Sequence, residues 1–191
     1  MPFNGKLIVF SAPSGSGKTT IVKSLMAKHS NLFGFSISAT NRQKRDNEID
    51  GRDYYFISKE DFEVKIKNND FIEWEEVYQG TFYGTLKSEI QRIHGLNQHI
   101  LFDIDVIGGL NIKKLYPDNT LSIFVMPPST KVLEERLKAR QSETAEMLKK
   151  RMDKAIYELS KANLFDKIII NDDLQKAIDD AEKEIFQYLT T

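Results

Sequence analysis

Apolar residues along this chain fall into short continuous runs separated by stretches with helical spacing, an alternation that predicts an α/β protein. Leu7-Ile8-Val9-Phe10, Ile100-Leu101-Phe102 and Leu121 to Met126 are too short to span a membrane and too continuously apolar for half-exposed strands. They read as strands of a parallel sheet buried on both faces, with Ile168-Ile169-Ile170 as a final strand. Helical spacing appears at Ile21, Val22, Leu25 and Met26, fraying near His29 to Asn31. It returns at Val132, Leu133 and Leu137 after a capping Ser129, and at Ala177, Ile178, Ala181, Ile185 and Leu189 after Asn171-Asp172-Asp173.

The pattern changes between the first two buried runs. Phe33 to Thr40 mixes apolar residues with Ser36, Ser38 and Thr40, and Asn41 to Asp53 is too hydrophilic to be core. Tyr54 to Ile57 reads as a strand, and Ser58-Lys59-Glu60-Asp61 as a capping box opening a helix through Ile66. Phe71 to Val77 is a further strand, Gly80 a hairpin-like turn, and Thr85 a cap for a helix running to about His94. A small strand-rich insertion, about residues 36–85, thus interrupts the core.

Chemistry concentrates where the first buried run ends, in Ser11-Ala12-Pro13-Ser14-Gly15-Ser16-Gly17-Lys18-Thr19-Thr20. Glycines there let successive backbone N–H groups face one anion at the N-terminus of the next helix. Lys18 would neutralise β- and γ-phosphates and the Thr19 hydroxyl would meet Mg²⁺, although Ala12 stands where G-x-x-x-x-G-K-[ST] begins with glycine. The alternative is a plain Gly/Ser turn with a solvated lysine. Arg42 and Arg45 are three apart and can converge on one phosphate with directional guanidinium bonds, or simply belong to a charged loop. Asp103 and Asp105 follow the second buried run, and on a continuing strand both would point to one side at the carboxyl edge, where a metal-bound nucleotide sits; otherwise they are helix caps. Arg136, Arg140 and Arg151 surround a polar stretch, Gln141 to Lys150, that reads as a helical lid.

Composition narrows the classes. The absence of cysteine excludes disulfides, zinc–thiolate sites and cysteine nucleophiles. With 27 basic against 28 acidic side chains the chain has no general polyanion-binding character, so no nucleic-acid partner is expected. No signal peptide or membrane span is visible in the pattern, and a cytoplasmic location is expected. His29, His94 and His99 lack ligand spacing and receive no role.

Several spaced motifs now resemble the guanylate kinase family over nearly the whole chain. These are SAPSGSGKTT, the stretch SISATNRQKRDNEIDGRDYYF from Ser36 to Phe56, FIEWEE, FYGT, LFDID, PPS and IIIND. The resemblance implies a P-loop three-layer parallel-sheet core (1–35, 86–138, 152–191), a GMP-binding insertion (about 36–85) and a helical lid (about 139–151). It implies ATP- and Mg²⁺-dependent phosphorylation of GMP, and of dGMP, giving GDP in purine nucleotide metabolism and GMP recycling, by a monomer or homodimer. Arg42, Arg45, Tyr54 and Tyr83 would hold the GMP phosphate, with Glu48 of the same motif in the acceptor set, while Ser38, Glu73, Thr85 and Asp105 would read guanine. Ala12 through Thr20 would bind ATP, Asn171 would lie by adenine, and Asp103 would serve the metal through water in company with Thr19. Lys18, Arg42, Arg136, Arg140 and Arg151 would carry catalysis. The chain departs from the family pattern at Ala12, Asn41, Gln43-Lys44, Ile107 and Gln141. Two competing readings are a non-catalytic protein-binding module on the same fold and a kinase of another phosphate ester. Retention of Lys18, Thr19, Arg42, Arg45 and Asp103 speaks against the first, and Ser38, Glu73 and Thr85 against the second.

Overall fold

The computed structural model describes residues 5–139 and 145–190. In chain order it places β1 (Leu7–Ser11), α1 (Lys18–Lys28), β2 (Phe33–Phe35), β3 (Ala39–Thr40), β4 (Tyr55–Phe56) and α2 (Lys59–Lys67). There follow β5 (Phe71–Tyr78), β6 (Thr81–Leu86), α3 (Lys87–His94), β7 (His99–Asp103), α4 (Val106–Leu115) and β8 (Thr120–Met126). The chain ends with α5 (Thr130–Lys138), α6 (Ala145–Leu159), β9 (Lys167–Ile170) and α7 (Leu174–Leu189).

The central sheet has five strands in the order β2-β7-β1-β8-β9, all parallel. Alternation along β1 explains its continuous apolar run. Ile8 and Phe10 pack with Ile21, Leu25, Ala177 and Ile185 of α1 and α7, whereas Leu7 and Val9 pack with Phe102 of neighbouring β7 and with Ile93 and Ile112 of α3 and α4 on the other face. At the edge, β9 is buried only at Ile169, leaving Ile168 and Ile170 exposed.

A second, four-stranded sheet in the order β4-β3-β6-β5 forms the insertion. Its own core is Ala39, Phe62 and Phe71, with Phe62 stacked on Phe71 at 4.4 Å and on Phe82 at 5.5 Å between ring centroids. The Ser58 hydroxyl accepts from the Asp61 N–H, as the capping-box pattern predicts.

Two local expectations give way to tertiary structure. Pairing with β5 carries β6 through to Leu86, so Thr85 is a strand residue and α3 starts without a side-chain cap. Strand geometry stops at Asp103, and Asp105 becomes the N-cap of α4, its Oδ1 accepting from the Gly108 N–H at 2.9 Å. Asp103 and Asp105 therefore do not extend side by side along one strand. The lid segment is partly described: α6 runs unbroken from Ala145 to Leu159 and packs Leu148, Met152 and Ala155 against Leu133 and Leu137 of α5. Arg140 lies outside the described residues.

Candidate functional site

One pocket of about 260 Å³ is lined by the β1–α1 loop, by residues of the second sheet, by Asp103 and Asp105, and by α6. Four regions distant in sequence thus meet at the carboxyl edge of the parallel sheet, where strand polarity gathers loop ends.

The β1–α1 loop is held open by its backbone. Gly15 and Gly17 adopt φ of 95° and 87°, and the Ser16 N–H donates to the Pro13 carbonyl at 3.1 Å. Gly17 is the N-cap of α1 and supplies no side-chain cap, leaving the first N–H groups of that helix to an outside acceptor. A Cβ on Gly17 would lie 2.2 Å from the amide nitrogen of Asn171. That buried amide donates to the Ser16 carbonyl at 2.7 Å, so Asn171 braces the loop from the end of β9. Burial lowers the Lys18 ammonium to about 8, with Asp105 and Glu158 opposing the drop, so it remains charged at neutral pH. It pairs directly with Asp103. Thr19 and Thr20 are exposed along the pocket wall. Among the described residues no group of three or more Asp, Glu, His or Cys side chains could hold a metal ion. A divalent cation beside Thr19 and Asp103 would need phosphate oxygens and water for most of its shell, which suits a nucleotide-borne Mg²⁺.

The second sheet presents two kinds of group. Arg42 is held in a prearranged fork: its Nη1 and Nη2 donate to the Glu48 carboxylate at 2.7 and 2.5 Å, and its Nε donates to the Tyr83 hydroxyl at 3.0 Å. Its guanidinium also lies 4.9 Å from the Tyr54 ring centroid. The hydrogen bonds from Arg42 hold Glu48 below the usual carboxylate range, and burial pushes the Tyr54 hydroxyl up. The Arg45 N–H donates to Glu48 at 2.9 Å, and the Arg45 side chain stands exposed.

Deeper in, Glu73 of β5 is 7% exposed, and its Oε1 accepts from the Thr85 hydroxyl at 2.6 Å across the β5–β6 pairing. Burial pushes Glu73 up to about 7, and the Asp105 carboxylate adds to that rise. Gly108 makes room for it, since a Cβ there would lie 2.6 Å from Glu73 Oε2. Ser38 lines the same pocket just before β3. The turn before Ser38 is anchored by the Ile37 N–H donating to buried Glu89, which also accepts from Tyr55 and Arg92.

Helix α6 closes the third side. Arg151 donates to the Ser14 hydroxyl at 2.6 Å, and Arg136 of α5 approaches the Asn171 carbonyl at 3.4 Å. Lys154 and Glu158 line the pocket on the same helix face as Arg151. Glu158 is buried, which pushes it up to about 7. Neither it nor Glu75, raised to about 8 by burial and by the adjacent Asp105, was singled out by sequence reasoning. The signal was present: residues 151, 154 and 158 share a helix face, and residues 73 and 75 share a strand face.

Comparison with known proteins agrees with this architecture. The guanylate kinase family model matches residues 4–188. The guanylate kinase of Bacteroides fragilis is 50% identical over 184 residues, covering 96% of this chain and 90% of that protein. That of Porphyromonas gingivalis is 46% identical over 184 residues, covering 96% and 98%. The crystal structure of guanylate kinase from Anaplasma phagocytophilum superposes with a TM-score of 0.75 at 28% identity, covering 96% of this chain and 85% of that one. With the β1–α1 loop, the second sheet and α6 all facing one pocket, the chain belongs to the guanylate kinase family.

Proposed function

We propose that the protein transfers the γ-phosphoryl group of ATP to a phosphate oxygen of GMP, releasing ADP and GDP. The observation that carries this reading is buried Glu73, which lines the same pocket as the phosphate loop and accepts from the Thr85 hydroxyl behind it. Guanine offers N1–H and an exocyclic N–H₂ to a carboxylate, and O6 to a hydroxyl such as that of Thr85 or Ser38. Adenine would set a lone pair at N1 against Glu73, leaving a buried acceptor unpaired. Asp105 adds a second carboxylate on that side of the base.

Arg42, Arg45, Tyr54 and Tyr83 are the groups for the acceptor phosphate, with Glu48 keeping Arg42 in orientation. On the donor side, the loop from Ala12 to Thr20 wraps the ATP phosphates, Lys18 exchanges its Asp103 contact for phosphate oxygens, and Asn171 borders the adenine. Mg²⁺ would sit by Thr19 and Asp103 and supply charge neutralisation of the β- and γ-phosphates. Arg136, Arg140 and Arg151 bring positive charge to the transferred group as the lid closes. The acceptor oxygen needs no general base, because a phosphate monoester with a second pKa of about 6 is mostly dianionic at neutral pH. Chemistry therefore rests on in-line placement: the bond from the γ-phosphorus to the ADP leaving oxygen breaks as the bond to the GMP oxygen forms.

Base and phosphate, rather than the ribose 2′-hydroxyl, account for every acceptor contact assigned here, which supports acceptance of dGMP. The role is return of GMP to the diphosphate pool in purine nucleotide metabolism, in the cytoplasm. A coupled ADP-release assay with ATP and Mg²⁺ against GMP, dGMP, AMP, CMP and UMP tests this. Turnover restricted to GMP and dGMP is expected. Turnover of AMP, or none with GMP, would overturn it.

A further inference from the structure

The seam between α6 and the acceptor sheet is acidic. Glu73 of β5, Asp105 at the head of α4 and Glu158 of α6 line one pocket, Glu75 of β5 lies beside Asp105, and the Asp105 carboxylate bears on each of the three glutamates. As the three glutamates ionise, these carboxylates should repel across a closing joint and hold it open. One cation from α6 enters this seam. The Lys154 ammonium approaches the Val77 carbonyl at 3.4 Å, lies 4.9 Å from the Tyr78 ring centroid, and stands 3.7 Å from Glu158 Oε1. Its charge also favours the ionised form of Glu75. Lys18, on the loop side, faces Glu158 and Asp105.

The same helix carries Arg151 to the phosphate loop through Ser14. Lys154 lies three residues further on and reaches the end of β5, so one helix face touches the donor loop and the acceptor sheet together. We infer that Lys154 is a positioning residue, which neutralises the acidic seam and fastens the acceptor sheet to the lid helix, so that closure over GMP is coupled to closure over ATP. This rests on the reading of the protein as a GMP kinase.

The experiment compares the unsubstituted protein with Lys154→Met, Lys154→Arg, Glu75→Gln and the Lys154→Met/Glu75→Gln double variant. Steady-state kinetics is read beside GMP titrations followed by the fluorescence of Trp74, the one tryptophan in the chain and a neighbour of Glu73 on the acceptor sheet. Each titration is run with and without a non-hydrolysable ATP analogue. Lys154→Met is expected to lower kcat/KM for GMP about tenfold and to remove most of the tightening of GMP by the analogue, a coupling of the usual size for linked sites. The loss should deepen from pH 6.5 to 8.5, as Glu73, Glu75 and Glu158 ionise. Lys154→Arg should restore coupling. Glu75→Gln should partly rescue Lys154→Met, because it removes a repelling charge, whereas a loss of packing alone would not be rescued.

A Lys154→Met protein with unchanged coupling and kcat/KM, or a double variant no better than the single one, would overturn the positioning role while GMP turnover by the unsubstituted protein upheld the functional reading. Failure of the unsubstituted protein to phosphorylate GMP would overturn that reading instead.

Discussion

On the proposed reading, the loop that takes ATP and the sheet that takes GMP meet in one pocket but are built on opposite principles. The loop is one contiguous stretch whose working groups are backbone N–H groups, fixed by two left-handed glycines, by the Pro13 carbonyl and by the Asn171 brace. The acceptor side draws Ser38, Arg42, Tyr54, Glu73, Tyr83 and Thr85 from different strands and loops of the second sheet. On the proposed reading its specificity would reside in side chains whose charge depends on pH and whose alignment depends on strand register. A dipole fixed in the backbone costs nothing to keep ready, whereas a buried carboxylate is kept ready against its own desolvation. Damage to the first should abolish transfer, and damage to the second should change which base is accepted and at what pH.

The largest effect should come from Lys18→Ala. Removing the one side-chain charge of the donor loop should lower kcat by about 10³-fold, comparable with loss of a strong transition-state donor. GMP binding, followed by Trp74 fluorescence, should change little. Equal loss of GMP affinity would break the separation between the two regions.

Glu73→Gln should lower kcat/KM for GMP by about 10²-fold, since a carboxamide can turn only one acceptor toward two guanine donors. The pH profile sharpens the point. With Glu73 pushed up to about 7, the free enzyme carries it mostly protonated below that pH, so kcat/KM for GMP should rise from pH 6 to 8. Glu73→Gln should flatten that limb. Stability should move the other way. The folded protein binds this proton more tightly than the unfolded chain, so its contribution is complete below the usual carboxylate pKa of 4.5 and is lost as pH rises through about 7. Ligand-free Glu73→Gln should therefore melt at a higher temperature than the unsubstituted protein at pH 8, with little gain at pH 5. A lower melting temperature at both would show that Glu73 holds the sheet together rather than waiting for a base.

What could be read from the sequence follows the same division. The phosphate loop, the buried strands and the caps at Ser58, Ser129 and Asp173 are local, each fixed by a few neighbouring residues, and they stand where the pattern put them. Thr85 and Asp105 were harder because each has a tertiary alternative. The Thr85 hydroxyl meets a buried carboxylate on the paired strand, and Asp105 follows the chain as it turns from β7 into α4. Lys154 and Glu158 carry no motif; helical spacing puts them on the face of Arg151, but what that face meets depends on the packing of α6, which local spacing does not determine.

The smallest effect should come from Asn171→Ala, and it tests the comparison from the donor side. The lost bond is one buried amide to the Ser16 carbonyl, while the Ser16 N–H keeps its Pro13 partner and Asn171 keeps its backbone bond to Met126. Leaving one buried carbonyl unpaired costs about 1 to 3 kcal/mol, visible as a lower melting temperature. Because the space beside Gly17 also opens, the loop can wander from the geometry that α1 presents to a triphosphate, and KM for ATP should rise severalfold. The acceptor sheet does not touch this brace, and saturating ATP re-forms the loop that α6 meets, so KM for GMP at saturating ATP should stay within about twofold. A matching rise in KM for GMP would mean that the loop's backbone geometry is transmitted to the acceptor sheet, and Arg151, which touches Ser14 from α6, would be the place to look for the connection.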